Sequence, residues 1–301
     1  VGIQDAAAVA AYRGGWRAVR YLPDTAAYRL FDQVADTAWR RQTKGARRLR
    51  ANLARVVPGA DDPTLDQLTR DGLRSYFRYW CDAFRLPDWD VERINRIDVH
   101  NERILRDALA TGHGAVGALP HTGNWDHAGA WVTSQGMAVT TVAERLEPEA
   151  VYRQFLEFRE GLGMTIYPLT GGDVDVMTRL GEHVAGNDFV PLLADRDLTA
   201  RGIRVQFFGE EASMPAGPAA LALRTGAPMI PVTTWFEGTA PDHTLVLRFE
   251  SPIPVPAEGT DREKAAVMTQ HLADAFALRI AEHPTDWHML QKLFTADLDP
   301  R

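Results

Sequence analysis

The chain has 301 residues, 45% hydrophobic, 24% charged and 9% aromatic, a composition that excludes a disordered or fibrous chain and suits a folded protein with a sizeable core. Its one cysteine, Cys81, excludes an intramolecular disulfide and, within the apolar run 79–84, reads as a small buried hydrophobe. The net charge of −7 hides a basic stretch: ten arginines and Lys44 between Arg13 and Arg55 face only Asp24, Asp32 and Asp36. That surplus suits either a solvated helix face or an anionic membrane surface, while no zinc spacing or recognition-helix pattern supports nucleic acid.

Opening on Val1, the chain shows no signal-peptide pattern, and nowhere does it offer the ~18 consecutive apolar residues of a spanning helix. Action on lipids is therefore expected from the membrane surface. The first hundred residues read as helical. Ala27, Leu30, Phe31, Val34, Ala35 and Ala38 recur at spacings of three and four, and Leu49, Leu53 and Val56 continue the rhythm among arginines. Residues 58–63, bounded by Pro58 and Pro63, break the pattern; a further helix is predicted over about 64–84, stopped by Pro87. From Gly112 onward, short apolar runs alternate with helices. Strands are predicted over 115–119, 137–143, 164–168, 189–193, 203–208, 228–236 and 244–250, and helices over 125–134, 150–161, 173–185, 216–225 and 262–282. This order implies an α/β fold: a central mixed, largely parallel sheet flanked by helices, with an N-terminal helical layer. With no long linker or repeat, residues 1–301 are expected to form one domain, 1–100 its helical part and 112–301 its α/β core.

Residues 119–127, Leu-Pro-His-Thr-Gly-Asn-Trp-Asp-His, carry the chemistry. A strand ends, Pro120 turns the chain, and polar capping residues lead into a helix, at the strand edge where α/β proteins bind ligands. On one continuous helix His121 and Asp126 would point ~140° apart. They are expected to meet with His121 on the loop and Asp126 in the first turn, Thr122 or Asn124 serving as cap. Asp126 would then accept the Nδ1 hydrogen of His121 and leave Nε2 to take a proton from a hydroxyl, while helix-start N–H groups stabilise an oxyanion. Metal ligation by His121, Asp126 and His127 is disfavoured, because the neighbours 126 and 127 rarely converge on one ion. No metal and no cofactor are expected. His113, His271 and His288 are expected to be satisfied or solvated.

The string His-x-Gly-Asn-Trp-Asp after a strand resembles the H-x4-D motif of the glycerolipid acyltransferases, and more closely that of the lauroyl/myristoyl, lipid A biosynthesis type acyltransferases. Further stretches follow in that family's order: 45–53, 75–80, the acidic box Ala194-Asp195-Arg196-Asp197, Phe207-Phe208-Gly209, Gly217-Pro218-Ala219, and the closing His283-Pro284-Thr285-Asp286-Trp287-His288. The resemblance thus covers nearly the whole chain. Within the family, arginine-rich cations (Lys44, Lys264 and Lys292 are the only lysines) and the lack of an N-terminal anchor are similar to the actinobacterial phosphatidylinositol mannoside acyltransferases. The resemblance implies a long-chain acyl-CoA, palmitoyl-CoA, as donor. It implies mannosylated phosphatidylinositol, acylated at a mannose 6-hydroxyl, as acceptor, on the cytoplasmic face of the cell membrane.

The resemblance also implies roles for single residues. Asp195, at the same sheet edge as His121, binds the acceptor or supports the catalytic histidine; the bland alternative is a loop carboxylate paired with Arg196, and Asp197 is read as structural. Arg159, Arg201, Arg204 and Arg224, with His121, are candidates for acyl-CoA binding, since arginines suit phosphate oxygens and these segments are expected to reach the sheet edge near the motif. Glu144, with Arg145 beside it, is a candidate for holding acceptor sugar hydroxyls. Tyr76, Phe77, Tyr79 and Trp80 are offered as acyl-channel aromatics and read first as core. The rival readings are a late acyltransferase of lipid A synthesis, a thioesterase using the same base on water, and a lipid-binding scaffold without activity.

Overall fold

The computed structural model describes residue 14 and residues 18–144, 149–169, 175–197, 199 and 202–298. Helix α1 (Asp24–Arg40) lays Ala27, Tyr28 and Ala35 against α3 (Asp62–Arg85), and α2 (Lys44–Val56) packs Leu49 and Leu53 against the same helix. Side chains fix where these helices start. Thr43 accepts the Ala46 N–H at 3.3 Å ahead of α2, and Asp61 accepts the Thr64 N–H at 3.0 Å ahead of α3. Arg70 and Arg74 of α3 both pair with Asp36 of α1, at 2.7 and 2.8 Å, and these bonds hold the Asp36 carboxyl far below its ordinary range.

After a short α4 (Val91–Ile94) the core begins with β1 (Ile97–His100), α5 (Glu102–Ala110) and β2 (Ala115–Leu119). There follow α6 (Trp125–Ser134), β3 (Val139–Ala143), α7 (Glu149–Gly161), β4 (Met164–Pro168), α8 (Val176–Ala185) and β5 (Phe189–Leu193). The chain then forms β6 (Ile203–Phe207), β7 (Glu210–Met214), α9 (Gly217–Thr225), β8 (Met229–Glu237), β9 (Thr244–Phe249) and α10 (Asp261–Glu282). The main sheet has seven strands in the order β1-β9-β8-β2-β5-β3-β4, all neighbours parallel except β8 and β9. Helices α5, α6 and α7 cover one face over a core that includes Leu105, Trp131, Val132 and Phe189. Helices α8, α9 and α10 cover the other over Val116, Val190, Leu180, Leu221 and Phe276. This is the predicted α/β fold with its mixed, largely parallel sheet and helical layer.

Two strands escaped the sequence reading. β1 is four residues long at the sheet edge, with an exposed Asp98, inside a stretch expected to be helical. β7 begins Glu-Glu and pairs with β6 as a separate hairpin turned by Phe208 and Gly209 at positive φ, with one further bridge from Ala212 to Phe294, so the predicted strand 203–208 does not join the main sheet. The predicted start of α8 at Asp173 lies outside the described residues. Cys81 is fully buried, as a small hydrophobe would be.

Candidate active site

Parallel pairing brings two strand ends together. Leu119, the last residue of β2, is in register with Leu193, the last of β5, on strands about 4.8 Å apart. His121 and Asp195 each follow by two residues, so the chain delivers an imidazole and a carboxylate side by side at the carboxyl edge of the sheet. Asp195 is fully buried. Its Oδ1 accepts from His121 Nδ1 at 2.5 Å, and its Oδ2 accepts from the His121 backbone N–H at 2.9 Å and from the Trp287 indole N–H at 3.0 Å. Burial opposes a charge there, but the imidazole and these donors win and hold the carboxyl below its ordinary range. With Nδ1–H given to Asp195, the neutral ring presents its Nε2 lone pair, and His121 lines a cavity of about 720 Å³.

The loop carrying His121 is fixed from both sides. Thr234 Oγ1 of β8 donates to the Thr122 carbonyl at 2.6 Å, Gly123 N–H donates to the Asp286 carbonyl at 3.1 Å, and His288 N–H donates to the His121 carbonyl at 2.7 Å. Gly123 has φ +53, and a Cβ there would stand 2.6 to 2.8 Å from Thr234 atoms, so the turn admits only glycine. Asn124 is the helix cap: its Oδ1 accepts the His127 N–H at 2.9 Å. Among the helix-start N–H groups offered for an oxyanion, that of His127 is taken by this cap, and those of Trp125 and Asp126 have no hydrogen-bond partner among the described residues.

The predicted contact between His121 and Asp126 does not form. Asp126, in the first turn of α6, turns to the neighbouring helices instead: Arg159 Nε of α7 donates to its Oδ1 at 2.6 Å, and Tyr79 Oη of α3 donates to its Oδ2 at 2.9 Å. Burial would lower the Arg159 pKa, but Asp126 raises it above its ordinary value. Burial also lifts the Tyr79 phenol well above its own, Asp126 adding to the effect. The carboxylate that holds the imidazole is therefore Asp195. Asp126 lines the cavity as the anchor of Arg159.

The remaining candidates separate by location. Arg159, Glu144, Arg196 and Asp197 line the cavity, Glu144 exposed at its rim. Arg196 pairs with Gln291 rather than with Asp195. Arg224 does not line the cavity: α9 points its first turn there, through Gly217 and Pro218, and Arg224 in its last turn lies 3.4 Å from Thr178 of α8. Arg204 sits on the β6–β7 hairpin, 3.3 Å from Glu211. Arg201 and Arg145 lie outside the described residues. Tyr76, Tyr79 and Trp80 are cavity wall, whereas Phe77 packs among α1, α2 and α3. His127 is buried with Nε2 on the Ile94 carbonyl at 2.9 Å, and burial lowers its pKa.

One cavity residue was underrated from sequence. His288 Nε2 lies 3.0 Å from Ser75 Oγ, which also bonds Asp286, while its Nδ1 is buried in the cavity wall without a partner. Burial, then the nearby His121 and Arg78, lower its pKa to about 3, so the ring is neutral at pH 7. The signal was the closing element itself: Trp287 holds Asp195 and His288 holds the His121 loop.

Comparison with known proteins agrees with this geometry. The family described as bacterial lipid A biosynthesis acyltransferase matches residues 4–296. A phosphatidylinositol mannoside acyltransferase of Mycolicibacterium smegmatis is 47% identical over 290 residues, covering 95% of this chain and 91% of that protein. One of Mycobacterium tuberculosis is 45% identical over 296 residues, covering 96% of this chain and 89% of that protein. With a family match over nearly its full length and relatives this similar, the chain is an acyltransferase belonging to the bacterial lipid A biosynthesis acyltransferase family.

Proposed function

We propose that the chain moves a long-chain acyl group, palmitoyl, from its coenzyme A thioester to the 6-hydroxyl of a mannose in phosphatidylinositol mannosides, working at the cytoplasmic membrane surface. The observation that carries the reaction class is His121, its Nδ1 held by a buried aspartate and its Nε2 side open to a cavity walled mostly by apolar side chains. Nε2 takes the proton of the acceptor hydroxyl as its oxygen attacks the thioester carbonyl carbon. The oxyanion that forms is met by the N–H groups at the head of α6. When the tetrahedral carbon collapses the C–S bond breaks, and the leaving thiolate receives the proton from the imidazolium. Asp195 keeps the ring upright throughout and stabilises its positive charge. No cofactor takes part; acyl-CoA is a substrate.

The substrate reading rests on the names of the two relatives and on the cavity. Glu144 at the rim is an acceptor for sugar hydroxyls. The apolar wall suits an acyl chain, at ~0.8 kcal/mol per buried methylene. Arg159 supplies positive charge on the donor side, with Arg201 a further candidate. Incubating the protein with palmitoyl-CoA and either a phosphatidylinositol mannoside or a lipid A precursor, then weighing the products, tests the proposal. Palmitate added to the mannoside alone is the expected result. Transfer to the lipid A precursor alone would establish the rival substrate, and free palmitate released equally without acceptor would establish a thioesterase.

A further inference from the structure

Part of the cavity is a limb that runs beneath α6 and α7 along the sheet. Its lining includes the last residues of β2, β3 and β5 (Leu119, Ala143 and Leu193), at the edge that carries His121. It also includes the first residues of β3, β4 and β5 (Val139, Met164 and Phe189), which are in register with one another at the opposite edge. A five-residue strand rises about 13 Å from its first residue to its last, so the limb crosses the full width of the sheet. On the reading that the cavity takes an acyl chain, the carbonyl lies by His121 and the methyl end points at Val139, Met164 and Phe189.

The bore at that far end depends on glycine. Gly129 sits in the middle of α6, where glycine costs about 1 kcal/mol relative to alanine. Its role there is spatial. A Cβ at this position would collide with Met164 Cε and come within 3.1 Å of Met164 Sδ, and both residues line the cavity. The methionine tip therefore lies folded against the bare helix backbone. A methionine has three rotatable bonds, so a side chain at position 129 displaces the tip rather than stopping the helix from docking. On the sheet side, Gly117 of β2 gives room to the Phe189 ring: a Cβ there would stand 2.6 Å from Phe189 Cζ.

We propose that Gly129 and Met164 set the acyl-chain length this enzyme accepts, Gly129 by leaving space for the Met164 tip and Met164 by closing the limb. Bulk at 129 drives the thioether into the limb and shortens it, whereas truncating Met164 lengthens it. A purely architectural glycine would affect every donor alike.

The test measures kcat/KM with lauroyl-, palmitoyl- and arachidoyl-CoA on the acceptor that the wild type uses, for wild type, Gly129→Val and Met164→Ala. For Gly129→Val the palmitoyl-to-lauroyl ratio is expected to fall by about tenfold or more, since one methylene in an apolar pocket discriminates on that scale. For Met164→Ala the arachidoyl-to-palmitoyl ratio is expected to rise by a similar factor. Ratios that stay at the wild-type value, with activity lost evenly across donors, would overturn the proposal. If Gly129→Val does not fold, Met164→Ala decides alone. A wild type that transfers no acyl group from any of the three overturns the acyl-chain reading of the cavity, and the gauge with it; a transferring wild type with unmoved variant ratios overturns the gauge alone.

Discussion

At the scale of single residues, the site is built from buried polar groups whose charge state is set by their surroundings. Asp195 receives three donors, and its ionised state follows from them. His288 is the opposite case, a ring buried neutral. Its pKa in the folded chain, about 3, lies below the ordinary 6.5 of the unfolded one. Between those values the unfolded state binds a proton that the folded state refuses, so stability falls as pH falls, by up to about 1.4 kcal/mol per pH unit from this group. Comparing denaturant unfolding of the wild type with that of His288→Gln between pH 4 and 6.5 isolates the effect. The variant is expected to show the shallower slope; equal slopes would mean that the ring is protonated or exposed in the folded protein.

At the scale of elements, the loop carrying His121 is held in a cage of segments remote in sequence. α3 supplies Ser75, Tyr79 and Asp82, β8 supplies Thr234, and the segment after α10 supplies Asp286, Trp287 and His288. Fully buried Asp82 accepts from Tyr28 of α1, from His243 Nε2 at 3.1 Å and from the cap residue Asn124 at 3.5 Å. The helical layer is thereby tied to the head of α6. Its outer side has a different character. Arg20, Arg48, Arg50 and Arg55 are engaged by Asp88, Asp297, Asp62 and Glu210, among others. Arg29, Arg40, Arg41, Lys44 and Arg47 are exposed and have no carboxylate partner among the described residues, beside Leu30 and Val34, each 43% exposed. Among the described residues no helix is long and apolar enough to cross a membrane. The proposed work at a membrane surface gives docking on anionic lipid to this face. Arg41→Glu combined with Arg47→Glu should weaken binding to anionic vesicles by about 2 kcal/mol or more, at about 1 kcal/mol per cation, and added salt should weaken wild-type binding. Salt-insensitive binding that survives the double reversal would place the attachment in apolar contacts instead.

Local pattern made some elements readable and left others hidden. β2, β4, β5 and α6 stand at their predicted bounds because each is a short apolar run or a capped helix flanked by Gly, Pro or Asn. β7 was hidden because its Glu-Glu start carries no apolar alternation, and β1 because an edge strand needs little burial. Arg159 was legible only through family likeness, and Arg224 was misplaced because sequence position does not say which end of a helix meets a cavity.

At the scale of the whole molecule, the decisive fact is strand order. His121 and Asp195 were each readable as polar residues following a strand at one sheet edge. That β2 and β5 are neighbours, with β3 and β4 displaced to the side, is a property of the assembled sheet and appears in no window of sequence. The nearest carboxylate along the chain, Asp126, was therefore given the role that the nearest in space, Asp195, fills. The central claim, that Asp195 rather than Asp126 orients the catalytic base, is tested most directly by the steady-state kinetics of Asp195→Asn and Asp126→Asn with palmitoyl-CoA and the mannoside acceptor. Asp195→Asn is expected to lower kcat by about 100-fold or more with little change in KM, as loss of an oriented general base does, and Asp126→Asn to act mainly on KM by loosening Arg159. An Asp195→Asn enzyme with wild-type kcat would contradict that claim.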